Sequence, residues 1–262
     1  MQLIDTHSHL DIHHFADDFN EVLTRARKAG VIAQILPGVC QKWWPNLLAL
    51  CRREPDLFAA IGLHPMYLSM HTPAHLEELR MHAESGFLVA LGEIGLDYYI
   101  DHADHNEQQI LFTEQIQIAK DTDLPVLLHV RKAHDQVQAA MRRMTFTNGG
   151  IVHAFSGSLQ QAEKYIQLGF KISFGGSLTY DRAKKIRYVA RTLPLEEIVL
   201  ETDAPDIPPA DHHGERNSPE YLPLIACALA KLRQRDPEEI SRQTTKNVLH
   251  ILKLGIGFGE NG

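Results

Sequence analysis

The sequence predicts a closed (β/α)8 TIM barrel, an α/β fold forming a single domain over residues 1–262. Three observations carry that reading. Eight short apolar runs rich in Val, Ile, Leu and Phe recur along the chain; helical segments separate them; and about 250 residues is the usual length of eight such units. Runs that are apolar nearly throughout suit strands of a parallel sheet, buried on both faces. No composition break or Gly/Ser-rich linker marks a second domain. A doubly wound open sheet is the rival fold, but no G-x-G-x-x-G follows the first run, and the glycines of "GEIGLD" have the wrong spacing.

The expected strands are "QLIDT" (2–6), "VIAQILP" (31–37), "LFAAIGL" (57–63), "FLVALGE" (87–93), "PVLLHV" (125–130), "GIVHAF" (150–155), "FKISFGG" (170–176) and "EIVLETD" (197–203). Between them, "DDFNEVLTRARKAG" (17–30) reads as a helix stopped by Gly30. The segment "TPAHLEELRMHAES" (72–85) opens with Thr72 as N-cap and Pro73 in the first turn. Ile110, Phe112, Ile116 and Ile118 give the helix at 107–123 its apolar positions. Two more helices, at 218–234 and 236–252, each open on a capping residue followed by proline, and Asp236 with Glu239 fits a capping box.

Bulk properties narrow the function. A net charge of −7 excludes a general polyanion binder, so any affinity for nucleic acid must be local or carried by bound cations. The three cysteines, Cys40, Cys51 and Cys227, form no C-x-x-C and read as reduced thiols of a cytoplasmic protein. No signal peptide is visible, and nothing approaches the ~18 apolar residues that would cross a bilayer. No membrane partner is therefore expected. Four of the sixteen histidines (His13, His14, His212 and His213) lie in polar contexts and read as surface residues.

In such barrels the chemistry sits at the C-terminal ends of the strands. His7 and His9 of "DTHSHLD" are two apart, so an extended backbone projects both to one side. Strand three runs into His64, strand four ends at Glu93, strand five at His129, strand six at His153 and strand eight at Asp203. Each has a bland explanation alone: a hydrogen-bonded core histidine, a partner for an arginine, a helix cap. Together they would bury many ionisable groups at one rim, at a cost of several kcal/mol unless something compensates. A bound cation is the simplest compensation.

The set is enough for two divalent ions with a bridging carboxylate. One would take His7, His9, Asp203 and one oxygen of Glu93; the other the second Glu93 oxygen, His129 and His153. Mixed nitrogen and oxygen donors suit Zn²⁺, Mn²⁺, Fe²⁺ or Ni²⁺, and Mg²⁺ weakly.

Six motifs, "DTHSHLD", "GLHP", "GEIGLDY", "LPVLLHVRKAHD", "VHAFSGS" and "LETDAPD", resemble in order the signatures of TatD-type metal-dependent deoxyribonucleases, members of the amidohydrolase-like barrel superfamily. The resemblance runs from residue 4 to "RNSP" at 216–219. It implies a (β/α)8 hydrolase with a divalent metal centre, a 3′→5′ exonuclease activity, and DNA or a nucleotide fragment as substrate. The family's metal positions carry over to His7, His9, Glu93, His129, His153 and Asp203. Sister families use a carbamylated lysine on the fourth strand; this chain has Glu93 there.

The expected roles follow. A metal-bridging hydroxide attacks phosphorus, with Asp203 as general base, Glu93 as bridging ligand and His64 binding or protonating a phosphate oxygen. Arg131, two residues past His129, clamps the phosphate. Tyr180 and Arg182 are candidate contacts to the leaving nucleotide, although the start of a surface helix is the simpler reading. The basic run "RAKKIRYVAR" (182–191) reads as the solvated face of the seventh helix rather than a nucleic-acid patch. Asp97 would orient a ligand histidine, and Tyr98 and Tyr99 could stack on bases. Activity and metal affinity should fall on acidification below about 6.5, the reference histidine pKa. A hydrolase of a small-molecule amide, ester or lactone is the alternative, mildly favoured by the acidic charge. A non-catalytic metal-binding barrel is disfavoured by the intact ligand set. The oligomeric state is left open, a monomer included.

Overall fold

The computed structural model describes residues 1–100 and 104–256. Eight strands, β1 (Leu3–Asp5), β2 (Val31–Gly38), β3 (Leu57–Ile61), β4 (Ala90–Asp97), β5 (Val126–Arg131), β6 (Gly150–Val152), β7 (Phe170–Phe174) and β8 (Ile198–Leu200), form one parallel sheet in chain order. Backbone bonds draw the two edges together: Thr6 N–H to the Leu200 carbonyl (3.1 Å), Asp203 N–H to His7 (2.8 Å) and His9 N–H to Ala204 (2.8 Å). The result is the (β/α)8 TIM barrel that the sequence predicts. No helix among the described residues is long and apolar enough to cross a membrane.

Helices α1 (Phe19–Lys28), α2 (Trp44–Arg53), α3 (Pro73–Glu84), α4 (His105–Asp121), α5 (His134–Arg143), α6 (Leu159–Gln167), α7 (Lys184–Thr192) and α8 (Leu222–Arg233) follow the strands in turn, and α9 (Pro237–Ile251) comes last. The sheet separates two apolar layers. A small one, with Ile4, Ile35, Ala60, Leu127, Ile151 and Val199, is joined by Val248 and Leu252 at the end of α9. The larger one lies between strands and helices and holds Trp44, Phe112, Tyr165 and Phe170, all fully buried.

Local signals account for most helix ends. Pro73 opens α3, and the Thr72 N–H donates to Nδ1 of His75 at 3.3 Å, closing a capping box. Asp236 caps α9 by accepting the Glu238 N–H at 2.8 Å. The expected partner Glu239 instead bonds Arg235 at 3.1 Å, so the expected capping box does not form and Asp236 acts as a simple N-cap. Helix α8 begins at Leu222, later than expected, because Pro219–Tyr221 forms a separate 3-10 turn.

Strand β4 departs most from expectation. It was expected over 87–93, ending at Glu93, but runs from Ala90 to Asp97 and so carries Glu93 in mid-strand. Leu91 pairs with Val126 and Ile94 with Leu128, leaving one extra residue on β4. A bulge of this kind bends a strand and re-aims a side chain. The glycines explain how β4 lies so close to β5. A Cβ at Gly92 would sit 2.6 Å from Cβ of Leu127, and one at Gly95, where φ is +155°, would collide with the His129 carbonyl.

The segment after β8 is held by two buried side chains. Asp5 accepts the Thr202 N–H (2.9 Å) and hydroxyl (2.5 Å), tying this segment to β1. The Asn217 amide donates to the carbonyls of Thr202 (2.7 Å) and Asp206 (2.6 Å), while its oxygen accepts the Ser218 N–H (2.8 Å). Leaving such buried groups unpaired costs about 1–3 kcal/mol. Asn217→Ala should therefore destabilise the protein by about 2–3 kcal/mol in urea unfolding. A change below ~0.5 kcal/mol, the size of an ordinary surface substitution, would contradict this role.

Candidate metal centre

Glu93 is the hub of the barrel mouth, only 3% exposed. Its Oε2 lies 3.2 Å from His7 Nε2 and 3.9 Å from His9 Nε2. The other oxygen, Oε1, lies 2.9 Å from His153 Nε2, 3.0 Å from His129 Nδ1 and 3.2 Å from His64 Nε2. Asp203 Oδ1 stands 3.8 Å from His7 and 3.9 Å from His9, on the Oε2 side. The fold thus brings His7, His9, Glu93, His129, His153 and Asp203 together, although they span almost 200 residues.

Neighbouring groups stand behind some of the ligand candidates. His129 Nε2 is 3.1 Å from Oδ2 of Asp97, whose Oδ1 accepts the Tyr99 N–H at 2.9 Å, so Asp97 fixes the ring that faces Glu93. The ring of His153 stacks on His7, 3.9 Å between centroids, with its Nδ1 turned towards Glu201 at 3.7 Å. Asp203 adopts a left-handed backbone (φ 60°) that Asp tolerates better than most residues.

His64 is a different case. By distance alone it groups with Glu93 and His129. Its Nδ1, however, accepts the Met66 N–H at 3.0 Å. A neutral imidazole carries one proton, so that proton sits on Nε2, which is then a donor facing Glu93 and not a metal ligand.

Burial dominates the electrostatics. It lowers His7, His9 and His64 to about 4, leaving all three neutral at ordinary pH. Burial also opposes charge on Glu93, yet the surrounding histidines, His153 foremost, hold its carboxyl well below the usual range. For His153 burial is outweighed by Glu93 and Glu201, which raise it well above the ordinary value; Asp97 and Glu93 do the same more modestly for His129. Burial raises the Asp203 carboxyl well above the normal range, against the pull of His153.

The residues fit divalent ions. His7 Nε2 is fully buried without a hydrogen-bond partner, an orphaning that a coordinate bond to the ring nitrogen would relieve. Distances group His7, His9 and Glu93 as one potential ligand set, and His7, His153 and Asp203 as another. Imidazole and carboxylate donors match borderline or hard divalent metals.

The centre opens into a cleft of about 950 Å³ lined also by Asp11, His13, His14, Arg131 and Asp206. His13 and His14 are exposed, as expected of surface residues, and also border the cleft. Arg131 lies on the wall with its guanidinium 3.7 Å over the Tyr99 ring. Tyr180 is outside the lining: its hydroxyl donates to the Pro208 carbonyl at 3.0 Å, and Arg182 stacks over its ring at 5.1 Å. In the basic run on α7, Lys185 bonds the Ser156 carbonyl (3.0 Å) and Arg187 the Leu178 carbonyl (3.0 Å), which ties part of that charge to the scaffold.

Asp5 is legible at the end of β1 but its anchoring role is not, and two further supporting residues, Asn217 and Glu201, escape sequence reasoning. Glu201 accepts the Ala154 N–H and the Ser173 hydroxyl, both at 2.6 Å, linking the ends of β6, β7 and β8. Its one sequence signal is an ionisable residue directly after the apolar run of β8.

Residues 4–253 match the family described as TatD related DNase. The chain is 42% identical over 255 residues to the uncharacterized metal-dependent hydrolase YjjV of Escherichia coli K12, covering 97% of this chain and 98% of that protein. It is 32% identical over 247 residues to a 3′-5′ ssDNA/RNA exonuclease TatD of a Pantoea species, covering 92% and 95%. The crystal structure of the E. coli K12 YjjV protein superposes with a TM-score of 0.93 at 41% identity, covering 96% of this chain and 98% of that one.

These pKa directions set the pH behaviour of metal uptake. His7 and His9 are already neutral at pH 7 and release no proton on coordination. His153, His129 and Asp203 are raised, so in chelator-treated protein they hold protons that a metal must displace. Affinity should therefore rise with pH, over a higher window than the reference histidine pKa of about 6.5 suggests. Calorimetry of Zn²⁺ binding at pH 7, in buffers of different ionisation enthalpy, should register net proton release. Zero proton exchange would contradict this assignment.

Proposed function

The chain belongs to the TatD related DNase family of metal-dependent hydrolases, and from that membership we propose that it is a two-metal phosphodiesterase removing nucleotides from the 3′ end of single-stranded DNA. The observation that carries the reading is the division of Glu93. Oε2 faces His7 and His9 on the side of Asp203, while Oε1 faces His129 and His153. One carboxylate between two sets of imidazoles supports a bridged pair of ions, with Zn²⁺, Mn²⁺, Mg²⁺ or Ni²⁺ as candidates. Such ions, when bound, supply Lewis acidity towards a phosphoryl oxygen and lower the pKa of water towards neutrality.

The protein's own groups do the rest. Asp203, at the open side of the cluster, orients the attacking water and takes its proton. His64 presents Nε2–H to a phosphate oxygen, its tautomer fixed by the Met66 N–H. Arg131, on the cleft wall, offers a planar fork to the same phosphate, and the Tyr99 ring beneath limits its swing. Glu93 stays ionised throughout and is never a proton donor. An enzyme acting at strand ends needs no broadly basic surface, which suits the net charge of −7. The three unpaired cysteines suit a cytoplasmic setting. Hydrolysis of a small-molecule ester or lactone is the second reading, favoured by the carboxyl groups of Asp11 and Asp206 on the cleft wall.

The test is end-labelled single-stranded DNA incubated with the protein and Mn²⁺ or Mg²⁺. The substrate should shorten from its 3′ end, and Glu93→Ala should abolish shortening. Asp203→Asn should lower kcat by about 10²–10⁴, the usual worth of a positioned general base. His64→Ala should lower kcat by about 10² with metal content unchanged, since the neutral His64 ring is a hydrogen-bond donor and not a ligand. Turnover of esters or lactones with no cleavage of DNA would contradict the proposal.

A further inference from the structure

A second chemistry lines the same cleft, away from the metal cluster. Trp43 ends the 3-10 turn after β2, and Tyr67 lies in the 3-10 segment Pro65–Met70 after β3. Their rings meet edge to face, 5.0 Å apart at 81°. Tyr67 in turn is 6.2 Å from the ring of His64, whose Nε2 is 3.2 Å from Glu93. The aromatic pair is therefore two ring contacts from the centre of the cluster.

Neither ring is needed by the fold in the way that its neighbour Trp44 is. Trp44 is fully buried and bonds the Gly62 carbonyl through its indole N–H, whereas Trp43 and Tyr67 are half-buried on the cleft wall. Met66, 54% exposed, and Ile207, 45% exposed, extend the apolar lining. Polar groups edge it: Oδ1 of Asp11 is buried without a hydrogen-bond partner, and the Asn46 amide bonds the Asp11 carbonyl at 2.7 Å. A corner of two perpendicular rings with hydrogen-bonding groups at its edge fits a heteroaromatic ring, which can stack on one ring and meet the other edge-on. The other aromatics near the mouth are already covered. Arg131 and Lys132 lie over Tyr99 at 3.7 and 4.3 Å, and His105 stacks on Tyr98 at 3.9 Å.

We propose that Trp43 and Tyr67 form a shelf on which the base of the terminal nucleotide stacks, with Asp11 at the base edge, so that the cleft selects a nucleotide and not merely a phosphodiester. This rests on the phosphodiesterase reading above and adds a specificity element to it. Stacking on aromatic side chains tolerates any base, so the shelf confers recognition of a nucleobase without sequence preference.

Binding of a product-like ligand tests the shelf without relying on turnover. Zinc-loaded protein is titrated with dAMP and with 2-deoxyribose 5-phosphate, which lacks the base, following tryptophan emission and calorimetry. The shelf predicts that dAMP binds about tenfold or more tightly than the sugar phosphate and quenches emission. Trp43→Ala should erase that difference, leaving sugar-phosphate affinity and zinc content unchanged, while Trp43→Phe should retain most of it. Equal binding of the two ligands by the wild type, or an unaltered dAMP preference in Trp43→Ala, overturns the shelf. If the wild type still shortens DNA in that case, the shelf alone fails. If it cleaves no phosphodiester and opens lactones instead, the parent reading fails and the shelf with it.

Discussion

A single buried carboxylate, Glu93, surrounded by five imidazoles is the constraint on which the rest depends. A buried anion is costly unless neighbours compensate it, and those neighbours are buried as well. The histidines around it divide into three that burial keeps neutral (His7, His9 and His64) and two whose affinity for a proton neighbouring carboxylates raise (His129 and His153). A site poised this way satisfies its charges with protons and can exchange them for divalent cations. The same groups then serve folding and chemistry, which is why Asp97 and Glu201 stand behind the histidines.

The backbone is shaped to that end. The bulge in β4 turns Glu93 to the barrel mouth, and Gly92 and Gly95 let β4 press against β5, which carries His129. At the opposite side of the cluster, Asp5 and Asn217 fix the segment after β8, and with it Asp203. His64 is set by a local bond to the Met66 N–H that selects its tautomer. These are small features, yet they decide which atoms face the cleft.

Much of the architecture was legible because its signals are strong and repeated. Eight apolar runs at regular intervals specify a barrel, and strand-end residues such as His7, His129, His153 and Asp203 then have to converge. Strand β4 was misplaced by several residues because "GEIGLD" mixes a charge and two glycines into an otherwise apolar run, hiding a bulge that only strand pairing reveals. The anchoring roles of Asp5, Glu201 and Asn217 were hidden for a related reason: a buried polar side chain shows its purpose only through its partners. His13 and His14 are exposed as their polar context implies, but that they also border the cleft was not legible, because local sequence does not tell a polar loop facing the cleft from one facing bulk water. Tyr180 was legible as an aromatic after β7, but its bond to the Pro208 carbonyl depends on the segment after β8, remote in sequence.

The central claim is that Glu93 serves two ions at once, one on each oxygen. Anomalous diffraction from crystals soaked in Mn²⁺ or Zn²⁺ measures that directly. Two peaks should emerge, one against Oε2 beside His7, His9 and Asp203, the other against Oε1 beside His129 and His153, with His64 bound to neither. A lone peak, or peaks that leave Glu93 uncoordinated, would contradict it.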